Sequence, residues 1–389
     1  MSNTLTLTFT GDIGFDHYME NRFKDENLLS EDVKNFLLST DHLIVNVEGA
    51  LSDSKITLPK NGVAALAHSM PAGVVDFLSL IHADILSLAN NHIMDAGSEG
   101  LSDTLLLAHN HHMDTIGAGM NIDEAAKPLI LEGAGGIGIF SVGYQRACRK
   151  AGEATPGCLS WSDMERISAN IRKIKSTCRW CIVVSHGGEE FTSLPAPYTR
   201  DRYLKYLDMG ADIVVSHHPH VPMNYEILEN GKGIFYSLGN FIFDTDYQRA
   251  QFNTEKGILL KLTLSETDWS FKPLGIKVNR DKETVESADL PLIFENVTKE
   301  DYDLLIPLSS KAFLEATKKQ QIYLKPDKYS SSTTDEEWHE NFCEEKRSGR
   351  VPGEALDLQI IVPIADKEKE KAWKNSKLTN VVKYIIEQL

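Results

Sequence analysis

What most constrains this chain is a series of short apolar runs, most of which end in a polar cluster. Leu5–Phe9 runs into Thr10-Gly11-Asp12, and Leu43–Val47, which carries Asn46, runs into Glu48. Ile85–Leu88 leads to Asn90-Asn91-His92 and then Asp95. Ile182–Ser185 leads to His186, Ile213–Ser216 to His217-His218-Pro219-His220, and Ile234–Ser237 to Gly239-Asn240. A further run, Gly138–Val142, has no such ending. Runs this short and this rich in Ile, Val and Phe predict strands rather than helices. Amphipathic segments lie between them, at Glu31–Leu38, Ala72–His82, Glu99–Asn110, Asp163–Ser176 and Thr199–Met209. Ser98 and Ser162 stand as N-caps for two of these, and Gly210 as a stop for the last. Strand-helix alternation predicts a layered α/β architecture.

In an open α/β sheet the strand C-termini share one edge, where ligands bind. Asp12, Glu48, Asn91, His92, His186, His218 and His220 therefore converge although scattered along the chain. Carboxylate, amide and imidazole suit Mn²⁺, Fe or Zn²⁺ and not a thiolate site. His-Pro-His is a turn able to aim two rings at one place. Singly, Asp12 and Asn91 also read as caps, and His42, His68 and His82 as satisfied surface or helix residues. The joint placement is what argues for metal.

Composition closes other routes. A net charge of −16 disfavours polynucleotide partners, which need a basic surface. Five cysteines are too few for a disulfide framework. Cys178-Arg-Trp-Cys181 lacks a second ligand pair and leads into an apolar run, so it reads as packing. No signal peptide and no membrane segment is expected, which places the chain in the cytoplasm.

Gly257–Leu264 and Trp269–Val278 read as a pair of β-strands. Beyond residue 280 the chain is less legible. Lys325–Arg350 reads as a polar linker. Leu378, Val381, Val382, Ile385, Ile386 and Leu389 share one helical face, expected to dock on the core.

Six segments, in order, resemble the CapA family of capsule and poly-γ-glutamate biosynthesis proteins, a branch of the calcineurin-like metallophosphoesterases. They are Phe9-Thr-Gly-Asp12, Val45–Leu51, Leu88–His92 with Asp95-Ala-Gly97, Ser185–Glu189, Ala211–Val221 and Tyr236–Phe241. The resemblance implies a four-layer α/β/β/α sandwich over residues 1–280, with an α+β extension over 281–389. It implies one or two divalent cations and hydrolysis of a phosphoester or related anionic bond. Carried over by position, Asp12 and His220 would bind a first metal, Asn91, His186 and His218 a second, and Glu48 would bridge. His92 would be the general acid. Asn240, Arg146 and Arg149 are candidates to meet a small anionic or γ-glutamyl substrate. The pattern departs at Gly14, where the superfamily has the histidine of Asp-x-His; Asp16 and His17 are the nearby substitutes. The alternative is a non-hydrolytic accessory that binds a γ-glutamyl or phosphorylated intermediate.

Overall fold

The computed structural model describes residues 4–54, 67–144, 148–334, 337–338 and 378–387. Two sheets stack face to face. In the first, β1 (Leu5–Ile13) lies parallel to β2 (His42–Val47), which is followed by β3 (Ala83–Ser87) and β4 (Asp114–Ile116). The second centres on β6 (Ile137–Gly143), β7 (Trp180–His186) and β8 (Ile213–His217), all parallel, with β5 (Leu129–Leu131) on one edge. Its other edge is β10 (Gly233–Phe235) and then β9 (Tyr225–Ile227). β11 (Asn240–Ile242) crosses back to pair with the end of β1. The predicted pair of strands forms as β12 (Lys256–Leu264) and β13 (Trp269–Asn279), and β12 pairs antiparallel with β1.

The alternation of side chains along each strand sorts them into layers. Leu7, Phe9, Ile44, Ile85, Ile182, Val184, Ile213 and Val215 meet between the sheets. Leu43, Val45 and Leu86 face the other way, onto α1 (Glu31–Leu38), α2 (Val74–Leu80) and α3 (Gly97–Asn110). Cys181, Val183 and Val214 face α4 (Met164–Lys175) and α5 (Pro197–Asp208). The result is the expected α/β/β/α sandwich. Cys178 and Cys181 are buried free thiols, in keeping with packing.

Several boundaries differ from expectation. Asp163, not Ser162, caps α4, with its side chain accepting from the Arg166 N–H. Ser98 lies inside α3, whose N-cap is Ala96. β14 (Thr284–Ala288) pairs with β13, so the first sheet continues past residue 280. With that strand and the helices that follow it among the described residues, the extension over 281–389 is α+β as expected. It holds α6 (Lys299–Leu324), 26 residues capped by Thr298, which sequence reasoning missed. Pro307 in its interior reads as a helix stop.

α7 (Thr379–Ile386) docks as expected, with Val381, Val382 and Ile385 against Tyr302, Leu305 and Leu308 of α6. Leu389 and most of Lys325–Arg350 lie outside the described residues. Each buried aliphatic side chain contributes ~1.5–3 kcal/mol. Truncation after Lys377 is therefore expected to lower the melting temperature; an unchanged melting curve would contradict docking. Among the described residues no helix is long and apolar enough to cross a membrane.

Candidate metal centre

Asp12 lies in register with Asn46 of β2 and Asn240 of β11, which fixes it at the carboxyl edge of the first sheet. The approach needs glycine: a Cβ on Gly11 would sit 2.1 Å from the Gly239 carbonyl oxygen. From the second sheet, His186 ends β7, and His218 and His220 follow β8. These two histidines have φ of 97° and 58°, in the left-handed region. Such residues cost of order 1–3 kcal/mol each and persist where the surroundings fix them. Here Gly187 N–H donates to His217 O at 3.0 Å and Phe191 N–H to Pro219 O at 2.8 Å.

The two edges meet at Glu48. Its Oε1 lies 3.6 Å from His186 Nε2, 3.6 Å from His220 Nε2 and 3.9 Å from His92 Nε2. Asp12 lies 3.4 Å from both His217 Nδ1 and His220 Nδ1. Asn91 Oδ1 is 2.7 Å from His186 Nε2. Two groups of donor atoms are compact enough for one ion each: Glu48, His218 and His220, and Asp12, Glu48 and His186. Glu48 belongs to both, as a bridging position requires. The remaining ligands divide differently from the partition the resemblance implies.

The donor set fits divalent cations. Glu48 is fully buried, yet neither of its oxygens has a hydrogen-bond partner. The Nδ1 of His218 is also buried without one. An isolated buried charge is costly unless paired, and a cation pairs it. Burial pushes the Glu48 carboxyl well up, and the charges of Asp12, Glu190, Asp16 and Asp95 add to this. Burial acts the same way on Asp12, but the close approach of His217 and the nearby charges of His220 and His218 outweigh it and hold the carboxyl down. Burial lowers His186 and His218, which favours the neutral imidazoles that metals bind.

Around the cluster lies an orienting layer. Asn46 Nδ2 donates to Asp12 Oδ1 at 2.8 Å. Asn240 is fully buried, and its Nδ2 donates to Thr254 O at 2.9 Å and to Gln248 Oε1 at 3.1 Å. Those acceptors leave Oδ1 facing His220 Nδ1 at 3.0 Å. His220 therefore carries its proton on Nδ1 and presents the Nε2 lone pair to the cluster. The Asn240 amide is thus fully engaged by His220, Gln248 and Thr254.

His92 is held through Nδ1 by Asp95 Oδ2 at 2.7 Å. Burial, with the His68 charge, lowers its pKa to about 4. With Nδ1 turned to Asp95, the neutral ring leaves Nε2 able to accept. His68 was expected to be an ordinary satisfied histidine. Instead its ring meets that of His92 edge-on at 4.3 Å, its backbone N–H donates to Asp95, and its Nδ1 contacts Asp16. No spacing announces this, because Asp16 and Asp95 reach it only through packing.

Gly14 has a plain explanation. A Cβ there would lie 2.4 Å from Phe243 Cε2, so the Phe243 ring fills the space a histidine would need. Asp16 is engaged by His68, and His17 is exposed. Neither joins the compact groups of metal donors. Gly14→His is expected to destabilise the fold by about 1–3 kcal/mol through overpacking and not to raise metal content. Elemental analysis and melting curves check both. Of the basic candidates, Arg146 lies outside the described residues, and Arg149 is exposed with no contact to the cluster among them. Neighbouring Lys150 pairs with Asp163 at 3.5 Å.

Known proteins resemble this chain over much of its length. A family model described as bacterial capsule synthesis protein PGA_cap matches residues 6–245. The capsule biosynthesis protein CapA of Bacillus anthracis is 28% identical over 340 residues, 81% of this chain and 80% of that one. The PGA biosynthesis protein CapA of Bacillus subtilis is 31% identical over 254 residues, 64% of this chain and 66% of that one. Among solved structures, a purple acid phosphatase from yellow lupin seeds is matched at 13% identity and a TM-score of 0.34, over 77% of this chain and 55% of that one. A superposition that loose fixes no residue of the site.

Proposed function

The chain belongs to the bacterial capsule synthesis protein family, and on that footing we propose that it is a metal-dependent hydrolase of a phosphoester or related anionic bond. One observation carries the reading: the buried, unpartnered Glu48 carboxylate, shared by two groups of metal-type donors. Asp12, Glu48, Asn91, His186, His218 and His220 would hold one or two cations of the Mn, Fe or Zn kind. What divalent cations supply when bound is Lewis acidity and positive charge at a developing anion.

This chain's own residues do the rest. Asn240 keeps the His220 Nε2 lone pair turned inward. Asn46 keeps one Asp12 oxygen occupied and so orients the other. His92, held at Nδ1 by Asp95, offers Nε2 beside Glu48 to take a proton or a hydrogen bond. To act as general acid it must first gain that proton, which a nearby anionic substrate favours electrostatically. The substrate is a small anion or a γ-glutamyl compound; the acidic surface disfavours polynucleotides.

The test is metal analysis together with hydrolysis of an aryl phosphodiester and an aryl phosphomonoester in Mn²⁺. The wild type should turn over one of them, and His218→Ala and Glu48→Ala should not. Activity that survives both substitutions would end this reading.

A second reading is favoured by Phe243, which blocks one expected ligand position. In it the protein is a non-hydrolytic accessory that binds a γ-glutamyl or phosphorylated intermediate. Calorimetric binding of γ-glutamyl oligomers without turnover would support it, and absence of binding at every metal loading would dispose of it.

A further inference from the structure

α6 lies outside the segment matched by the family model, yet it reaches the rim of the metal-ligand cluster. Glu190 stands four residues past His186 and is half-buried. Its Oε2 accepts from the Tyr247 hydroxyl at 3.0 Å and from the Gln320 side-chain amide of α6. Gln320 Nε2 also lies 2.6 Å from that hydroxyl, which closes a triangle. The next residue, Phe191, is locked in the left-handed region with φ 62°. Its ring stacks on His220 at 5.9 Å and meets Tyr247 edge-on at 5.2 Å. Ala316 of α6 packs into the same apolar cluster with Phe191 and Tyr247. Glu190 is thus pinned beside the His218-Pro-His220 turn. Its charge is felt inside the site, raising the Glu48 carboxyl and opposing the fall at His218.

The other oxygen, Oε1, has no hydrogen-bond partner among the described residues. A carboxylate at the rim of an anion site is a liability toward a bare anion, and nothing in the packing uses this oxygen. It becomes an asset when the ligand brings a donor. We propose that Glu190 Oε1 receives an N–H group, ammonium or amide, that the substrate carries beside its anionic centre. Tyr247 and Gln320 are the positioning residues that present it, so α6 takes part in selectivity. This rests on reading the cluster as an anion-binding metal site.

The test is calorimetry on the full chain loaded with Mn²⁺, comparing inorganic phosphate with phosphoethanolamine. A charge-assisted hydrogen bond predicts that the wild type prefers phosphoethanolamine by about ten-fold. Glu190→Ala should erase the preference and leave metal content unchanged. Glu190→Gln, which keeps the shape, should also erase most of it and serves if the alanine variant does not fold. Gln320→Leu should shrink it. An equal preference in wild type and the Glu190 variants overturns the proposal, as does loss of metal from them, which would make Glu190 a ligand. Wild type that binds both phosphates without preference overturns this proposal alone. If neither phosphate binds at any metal loading, the anion-site reading falls and takes this one with it.

Discussion

Glu48→Gln is expected to abolish metal binding while making the metal-free protein more stable at alkaline pH. The carboxyl is fully buried, no donor reaches either oxygen, and four other carboxylates act on it. Without a cation its charged form is therefore strongly disfavoured in the folded state. A carboxyl whose folded pKa is raised binds its proton more tightly folded than unfolded. Its stabilising contribution is complete below the ordinary glutamate range and is lost as pH rises through the raised value. Metal-free wild type should accordingly lose stability as pH rises above the ordinary glutamate range, and Glu48→Gln should lose less. Asp12 behaves oppositely. Its lowered carboxyl contributes above the ordinary aspartate range and is lost only in acid. Calorimetric melting in EDTA at rising pH checks the sign. The loss of metal affinity should exceed the ~10–100-fold typical of residues that only orient ligands. A variant that retains stoichiometric metal would contradict the bridging assignment.

The second large effect lies away from the metals. Arg200 of α5 donates to both oxygens of Glu226, at 3.0 and 2.6 Å, and the Tyr236 hydroxyl donates to the same carboxylate at 2.8 Å. The side chains of the pair are only 7% and 2% exposed. The guanidinium also lies 5.0 Å from the Tyr302 ring, so the pair joins α5, β9 and α6. Breaking a buried pair from one side strands the other charge, at about 3–5 kcal/mol. Arg200→Met should therefore lower the melting temperature sharply while metal content per folded molecule stays the same. Arg200→Met combined with Glu226→Leu should recover much of the loss, because no charge is then left unpaired. A double variant no better than the single one would locate the cost in packing on Tyr302 instead.

The parts of this molecule readable from sequence are those where burial imposes a period. Ile182 and Val184 face one way and Cys181 and Val183 the other, and burial on both faces is what made β7 legible as a short apolar run. Topology then carries the polar endings to one edge, which is why Asp12, Glu48, Asn91, His186, His218 and His220 come together. What the sequence hid depends on distant partners. Asn240 reads as a turn residue or a pocket residue until Thr254 and Gln248 fix its amide. His68 looks ordinary until Asp16 and His92 enclose it. α6 escaped notice because its apolar residues serve two neighbours, Tyr302, Leu305 and Leu308 facing α7 while Ala316 faces Phe191. Asn46 was the nearest miss, standing two residues before Glu48 in β2, where strand period places both toward the same side.

The cluster draws Asp12 and Glu48 from one sheet and His186, His218 and His220 from the other. Between the sheets the contact is largely apolar, with few directed links such as the buried Ser87–Ser141 hydroxyl pair at 2.9 Å. An ion seated at this edge acts as a rivet. Release of the ion would then loosen the two sheets at that edge. The supply of metal would set how long the molecule withstands a protease as well as whether it can react.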